Sequence, residues 1–187
     1  MDHELVALAQ QGDQRAFESL TLVHHTRLFR VAYGILRDRH LAEDATQQAF
    51  LDIWRYIRRL RDPAKFNGWS YRLLVHACYA EAKRAKARSR ETEVLAEALA
   101  SPIDEYRSVE ERDELERAFR RLSLDYRAVI VLRHLLGMTP NEVADVLGIS
   151  REAVYSRLRR AIPAMRAAIE ADDRTPTAAP TCQEVAP

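Results

Sequence analysis

The sequence predicts an all-α protein: two small helical domains, the second a helix-turn-helix, joined by a flexible linker. Three observations carry that expectation. Apolar residues recur at helical spacing along most of the 187 residues, no alternating strand pattern survives inspection, and Gly and Pro number only five and seven. This length suits one sizeable domain or two small ones, each with a modest core. With 47% hydrophobic and 30% charged residues, the chain is unlike a collagen, a disordered tail or a disulfide scaffold.

The first domain is expected over residues 1–88. A short helix opens it over Glu4–Gln10. Asp13 then offers an N-cap, and Phe17, Leu20, His24, Leu28, Val31 and Ile35 follow at helical spacing. Arg37-Asp38-Arg39-His40 breaks that stripe. Leu41, Ala45, Ala49, Ile53 and Ile57 form the next one, broadened by Phe50 and Trp54. The segment Arg61–Gly68 carries Pro, Asn and Gly without a period and reads as a loop. A third long helix runs from Trp69 to about Arg88, with Leu73, Ala77 and Ala80 inward and Lys83, Arg84, Lys86 and Arg88 near its end.

Residues 89–108 read as an acidic linker with Ser101-Pro102 in its middle. The second domain is expected over residues 109–171. Leu115, Phe119 and Leu122 sit on one face, Ser123-Leu124-Asp125 supplies a turn and a cap, and Tyr126–Leu136 is apolar on one side up to Gly137. Thr139 and Glu142 then fit a capping box, with Pro140 at the first helical position, where its missing N–H costs nothing. Val143, Ala144 and Leu147 are the buried side of that helix. Gly148-Ile149 turns the chain, Ser150 caps the next helix, and Val154, Leu158, Ala161 and Met165 anchor it. This is a helix-turn-helix arrangement. Residues 172–187 have too little apolar surface to order themselves and are expected to be a flexible tail.

The second helix of that pair is the informative one. Its outer face bears Glu152, Ser156, Arg159 and Arg160, with Tyr155 and Arg157 at the margins, and its N-terminus would present Arg151 first. Arginine pairs bidentately with a guanine edge or a phosphate, serine contacts either, and glutamate accepts from cytosine. A polar-faced helical hairpin is the bland alternative. The coincidence of capping box, glycine turn, apolar anchors and several arginines favours DNA.

Taken alone, net charge argues against a polyanion, since 29 Lys+Arg face 28 Asp+Glu for a sum of +1. The sum is a cancellation. Residues 1–54 carry five basic and eight acidic side chains, 55–90 carry 11 and two, and 91–116 carry two and ten. Residues 117–170 then carry ten and five, and 171–187 carry one and three. Two basic blocks flanking an acidic connector offer an electrostatic footprint for nucleic acid that the total conceals.

The segment Leu41-Ala42-Glu43-Asp44-Ala45-Thr46-Gln47-Gln48-Ala49-Phe50-Leu51-Asp52-Ile53-Trp54 resembles the core-polymerase-binding helix of bacterial sigma-70 family sigma factors. Arg27–Tyr33 and Trp69–Val75 resemble flanking parts of that family's second conserved region, and Val143–Arg160 resembles its fourth. The resemblance covers roughly residues 13–88 and 112–168, in the layout of the extracytoplasmic-function (ECF) type.

The resemblance implies a function: a sigma factor that binds core RNA polymerase, recognises the −35 and −10 promoter elements and helps melt the promoter. Asp44, Gln47, Gln48, Phe50 and Trp54 would meet the β′ coiled coil, and the fourth region would meet the β flap. The loop holding Lys65, Phe66 and Asn67 corresponds to the segment that grips a base flipped from the −10 element. A cation, a stacking ring and an amide suit that task, although Phe66 could equally plug the loop onto the core. Arg72, His76, Tyr79, Lys83 and Arg84 would line the opened strand, and His76 stands where family members commonly carry Asn. Arg151, Glu152, Tyr155, Ser156, Arg157, Arg159 and Arg160 would read the −35 element. The acidic linker would thread the enzyme's basic RNA-exit channel, and an anti-sigma factor is a further partner of the type.

A stand-alone helix-turn-helix regulator with a helical dimerisation or ligand domain is the alternative. An enzyme is not expected. The sequence holds no Gly-rich phosphate loop and no HExxH, and the neighbours His24-His25 and Glu43-Asp44 point in different directions on their helices. No cofactor or metal is expected, since Cys78 and Cys182 stand far apart and neither has a histidine at ligand spacing. Reduced thiols, a polar opening (Met1-Asp2-His3-Glu4) and only short apolar runs make a cytoplasmic protein without membrane insertion the expectation.

Overall fold

The computed structural model describes residues 2–95 and 110–173. Four helices make the first half: α1 (Asp2–Gln10), α2 (Gln14–Leu36), α3 (Arg39–Tyr56) and α4 (Phe66–Leu95). Four more make the second: α5 (Glu110–Arg121), α6 (Leu124–Ile130), α7 (Pro140–Leu147) and α8 (Arg151–Asp173). The all-α expectation holds over the described residues.

Local chemistry sets the boundaries. Asp13 accepts from the Arg15 and Ala16 amides at 2.9 and 3.1 Å and so starts α2. Arg37 ends it in the left-handed region at φ 58°, returning its N–H to the Tyr33 carbonyl. Asp38 caps α3 through the Leu41 amide at 2.8 Å. The expected break at residues 37–40 is thus only two residues wide, because Arg39 and His40 already belong to α3.

The segment expected to be a loop is more ordered than its Pro, Asn and Gly suggested. Two 3-10 turns, Ile57–Arg59 and Pro63–Lys65, lead into α4, which starts at Phe66. Asp62 caps the second turn by accepting from the Ala64 amide at 3.0 Å, and Pro63 sits at its first position, where no donor is lost. Helix α4 also continues to Leu95, past the expected boundary at 88. The rest of the expected linker lies outside the described residues, as does the tail from residue 174.

In the second half Ser123 caps α6 through the Tyr126 amide at 3.3 Å. The helix expected to run to Leu136 relaxes into a π turn over Val131–Leu135, closed by Leu136 N–H on the Val131 carbonyl at 3.3 Å. Gly137, at φ 67°, then reverses the chain. The capping box is present: the Thr139 amide and Oγ1 each donate to Glu142 at 2.7 Å, and the Glu142 amide donates back to Thr139 Oγ1 at 3.3 Å. Gly148 makes the left-handed turn at φ 66°, and Ser150 accepts from the Ala153 amide at 3.1 Å to start α8. Val143 and Val146 carry the buried side of α7, whereas Leu147 is only half-buried.

Leu20, Leu28, Val31 and Ile35 of α2 meet Ala42, Ala45, Ala49 and Ile53 of α3 and Leu74 and Cys78 of α4, all essentially inaccessible. The alanine stripe on α3 lets its axis approach its neighbours closely. That core does not end at the first half. It runs without interruption through Ala128, Val129, Val131 and Leu132 to Val143 and Val154. Helices α2 and α4 pack on α6, on the π turn and on α7.

Candidate nucleic-acid interface

The outer face of α8 carries Glu152, Arg159 and Arg160 as the sequence predicts, but Tyr155 and Ser156 exchange places, Tyr155 outward and Ser156 at the margin. Val154 and Ala161 are fully buried and hold the helix down, which leaves Arg151, Glu152, Tyr155, Arg159 and Arg160 exposed. Ser156 is half-buried at the margin. The Glu152 carboxyl is held below its usual range, first by its own backbone amide, then by Ser150 and by the Arg151 charge. It is therefore ionised at neutral pH and accepts rather than donates. Arg157 differs from its neighbours: its guanidinium pairs with Asp125 at 3.4 Å, and the side chain is 28% exposed.

Helix α4 presents the second surface. Arg72, His76, Tyr79 and Lys83 fall at i, i+4, i+7 and i+11, one ridge of the helix, and Arg72, His76 and Lys83 are exposed. Arg84 is exposed as well but is already paired with Glu81, a buried carboxylate one turn before it. Tyr79 is half-buried, and its hydroxyl donates to Asp125 Oδ1 at 2.5 Å. Burial first, then the Asp125 carboxylate, push the phenol above its ordinary range.

Ahead of the ridge, Lys65 and Asn67 are exposed, but Phe66 is not. Its ring is 3% exposed and meets His24 edge-on at 5.1 Å and Trp69 at 6.1 Å. Of the two roles open from sequence, Phe66 takes the core plug. No ring face is left for a base, so the stacking role is corrected. The half-buried Trp69 stands one turn further on. Together with Arg27, Lys65, Asn67 and Arg72 it lines a cleft of about 690 Å3, closed on the far side by Met138, Glu142 and Asp145. Arg27, whose guanidinium lies 5.4 Å from the Tyr71 ring centre, was not singled out from sequence. It precedes the basic block, and its segment, Arg27–Tyr33, carries a resemblance to the family's second region without a site role for the arginine itself.

A third patch lies on α3. Asp44, Gln47, Leu51 and Trp54 share one exposed face, with Gln48 and Phe50 half-buried beside it. Trp54 is 44% exposed and packs on Phe17 with ring centres 4.7 Å apart. Leu51, 55% exposed, completes an apolar ledge that sequence reasoning left out because the residue falls off the buried stripe.

Among the described residues no group of three His, Cys, Asp or Glu side chains could hold a metal, and no helix is long and apolar enough to cross a membrane. Burial pushes the Cys78 thiol up to about 12, so it stays protonated and unreactive.

Comparison with known proteins places these surfaces in a family. The model of Sigma-70 region 2 matches residues 20–88, and that of Sigma-70 region 4 matches residues 112–165. The chain is 34% identical to the ECF RNA polymerase sigma factor SigM of Mycobacterium tuberculosis over 86% of its own length and 80% of that protein's. It is 25% identical to the ECF sigma factor SigW of Bacillus subtilis, over 84% and 90% of the two chains. Its fold matches CnrH, solved in complex with the cytosolic domain of CnrY, with a TM-score of 0.63 and 28% identity over 91% and 98% of the chains. It also matches RpoE of Bartonella quintana, solved with the anti-sigma factor NepR, with a TM-score of 0.65 and 20% identity over 83% and 98%. With both conserved regions in order and a basic helix-turn-helix behind a basic α4 ridge, the chain belongs to the ECF sigma factors of the sigma-70 family, which recognise promoters and start transcription.

Proposed function

We propose that promoter reading is divided between two surfaces of this chain. The face of α8 formed by Arg151, Glu152, Tyr155, Ser156, Arg157, Arg159 and Arg160 takes the −35 duplex. Lys65, Asn67 and the α4 ridge of Arg72, His76, Tyr79, Lys83 and Arg84 take the −10 strand. The observation that carries this reading is the α8 face: a capped helix start with three exposed arginines, Arg151, Arg159 and Arg160, held outward by Val154 and Ala161, and Arg157 at the margin. The α3 face of Asp44, Gln47, Gln48 and Trp54, with Phe50 at its margin, docks on core polymerase.

The match to region 2 accounts for the first half as a polymerase-binding unit, so a free-standing regulator is not favoured. The protein acts in the cytoplasm as a binding subunit rather than an enzyme, and residues 96–109 join its two halves. Two relatives in the fold are solved with a bound protein, one of them an anti-sigma factor, and an anti-sigma protein is proposed as a partner here too. Purified core polymerase on a library of genomic fragments tests the reading. Start sites that appear only when the chain is added support it, and an identical transcript set with and without the chain overturns it.

A further inference from the structure

The chain leaves α3 through a short turn with little to hold it. The 3-10 turn Ile57–Arg59 spans three residues and is closed by the Leu60 N–H on the Ile57 carbonyl at 3.1 Å. Such turns are weak by themselves, because their hydrogen bonds are poorly aligned. Leu60 then takes an extended conformation, and two residues later Asp62 starts the turn that carries Lys65 and leads to Asn67. Whatever fixes residues 57–60 therefore sets the direction in which those two side chains are presented.

Gln10, the last residue of α1, supplies that hold. Its Nε2 donates to the Ile57 carbonyl at 3.1 Å and to the Leu60 carbonyl at 2.6 Å, 47 and 50 positions further along the chain. A side-chain amide nitrogen has two N–H donors, and both are used here. One group thus orients the peptide planes at the start and just beyond the end of the turn. The anchor is itself well seated. Val6 and Ala9 are fully buried, and α1 packs on both 3-10 turns. Gly12, at φ 94°, lets the chain turn away close to the same segment, where a Cβ would stand 2.9 Å from Arg58 Nη2. Phe66 buries the far end. The exposed residues Arg61, Asp62, Ala64 and Lys65 are therefore held on both sides.

We propose that Gln10 is a positioning residue for −10 reading: its paired donation to Ile57 and Leu60 sets the path of residues 60–67, so that Lys65 and Asn67 meet the strand already in place. The inference deepens the −10 assignment proposed above and rests on it. It gives α1, which carries none of the proposed contact residues, a part in base preference. A segment held in one conformation rejects a base that does not fit, whereas a loose one adjusts to it.

Two substitutions test this. Gln10→Met keeps the length and apolar stem and removes both donors, and Gln10→Glu keeps the shape but turns an acceptor toward the two carbonyls. Each variant is loaded on core polymerase, and transcript is measured from promoters altered one base at a time across the −10 and −35 elements. Preference among −10 bases should fall about tenfold, while preference among −35 bases, read from α8, stays as in wild type. A merely structural role lowers yield from every promoter by one factor and leaves both preferences intact. That outcome, or an unchanged −10 preference, overturns the proposal.

Amide exchange of the free chain gives a readout independent of transcription. Residues 60–67 should exchange at least about tenfold faster in either variant, with α2 and α8 unchanged. Unchanged exchange in that segment, or faster exchange throughout the chain, overturns the proposal. A wild-type chain with no preference among −10 bases would sink the −10 assignment itself, while exchange would still report whether Gln10 holds the segment.

Discussion

Tyr79 and Asp125, 46 positions apart, meet in a 2.5 Å hydrogen bond that fastens helix α4 to the start of α6. A phenol donating to a carboxylate is a charge-assisted bond, with a net contribution of about 1.5–3 kcal/mol when buried. Here the Asp125 side chain is 45% exposed, which reduces the expected effect to about 1 kcal/mol. Tyr79→Phe and Asp125→Ala should each lower stability in urea by about that amount, and the double variant by little more than the larger single effect. Full additivity would show that the two groups are not coupled. The sign with pH follows from the raised phenol: the bond's contribution is fully present below the ordinary tyrosine range and lost above it. Tyr79→Phe should therefore blunt the alkaline loss of stability.

Phe66 separates two readings of the same short segment. Because the ring is 3% exposed against His24 and Trp69, Phe66→Ala should cost about 3–5 kcal/mol of stability, as other large core truncations do. Lys65→Ala, one residue away and exposed, should leave stability within about 0.5 kcal/mol while weakening binding to single-stranded DNA. A stable Phe66→Ala with impaired strand binding would return the ring to the stacking role.

Sequence reasoning reached the helices, the caps and the second-half turn because each depends on residues within one or two helical turns. Asp13, Thr139 with Glu142, and Gly148 all act on their immediate neighbours. It failed where the deciding contact is distant. Whether Phe66 faces a base or the core depends on His24, 42 positions earlier in the chain. The Arg157 margin looked like its neighbours in sequence, and only Asp125, on another helix, sets it apart. The two halves were legible as units, but their shared core through Gly34 and Val131 carries no local signal at all. The Asp62-Pro63 turn start is a local signal, masked in sequence by the Pro, Asn and Gly that together read as a loop.

Arg160 is exposed on α8 with no buried function to lose, so it serves to count phosphates. Each neutralised phosphate lowers the slope of log affinity against log salt by about 0.9. Arg160→Ala should weaken binding across all duplex sequences alike and flatten that slope by about one phosphate's share. Arg151→Ala, at the helix start that would meet base edges, should instead change which sequence is preferred, by about 1–3 kcal/mol at one position. The opposite assignment, with Arg160 altering preference and Arg151 only the slope, would reverse the orientation of α8 in the groove.

Leu51 and Trp54 form an exposed apolar ledge beside Asp44 and Gln47, and nothing in the described chain covers it. Apolar anchors flanked by polar groups are what a docking face needs, and a charge placed among them is costly once water is excluded. Leu51→Asp should leave stability within about 0.5 kcal/mol, since the residue is 55% exposed. Affinity for core polymerase should fall at least about tenfold, equivalent to 1.4 kcal/mol. Unchanged affinity in a pull-down titration would place the polymerase contact elsewhere on the first half.

Thr139 and Glu142 tie the start of α7 to pH. The Thr139 amide and hydroxyl hold the Glu142 carboxyl below its usual range, so the group is more acidic folded than unfolded. A depressed folded pKa gives stability that is present above the unfolded value and lost as pH falls through the folded one. Removing the cap with Thr139→Ala should cost about 0.5–2 kcal/mol at neutral pH. It should also shrink the acid-side loss, because Glu142 then keeps less of its preference for the charged form. Thermal melts of both proteins between neutral and acid pH would show the curves converging as Glu142 becomes protonated. Parallel curves would mean that Thr139 stabilises α7 without Glu142, and that the reciprocal box contributes nothing to the helix that positions α8.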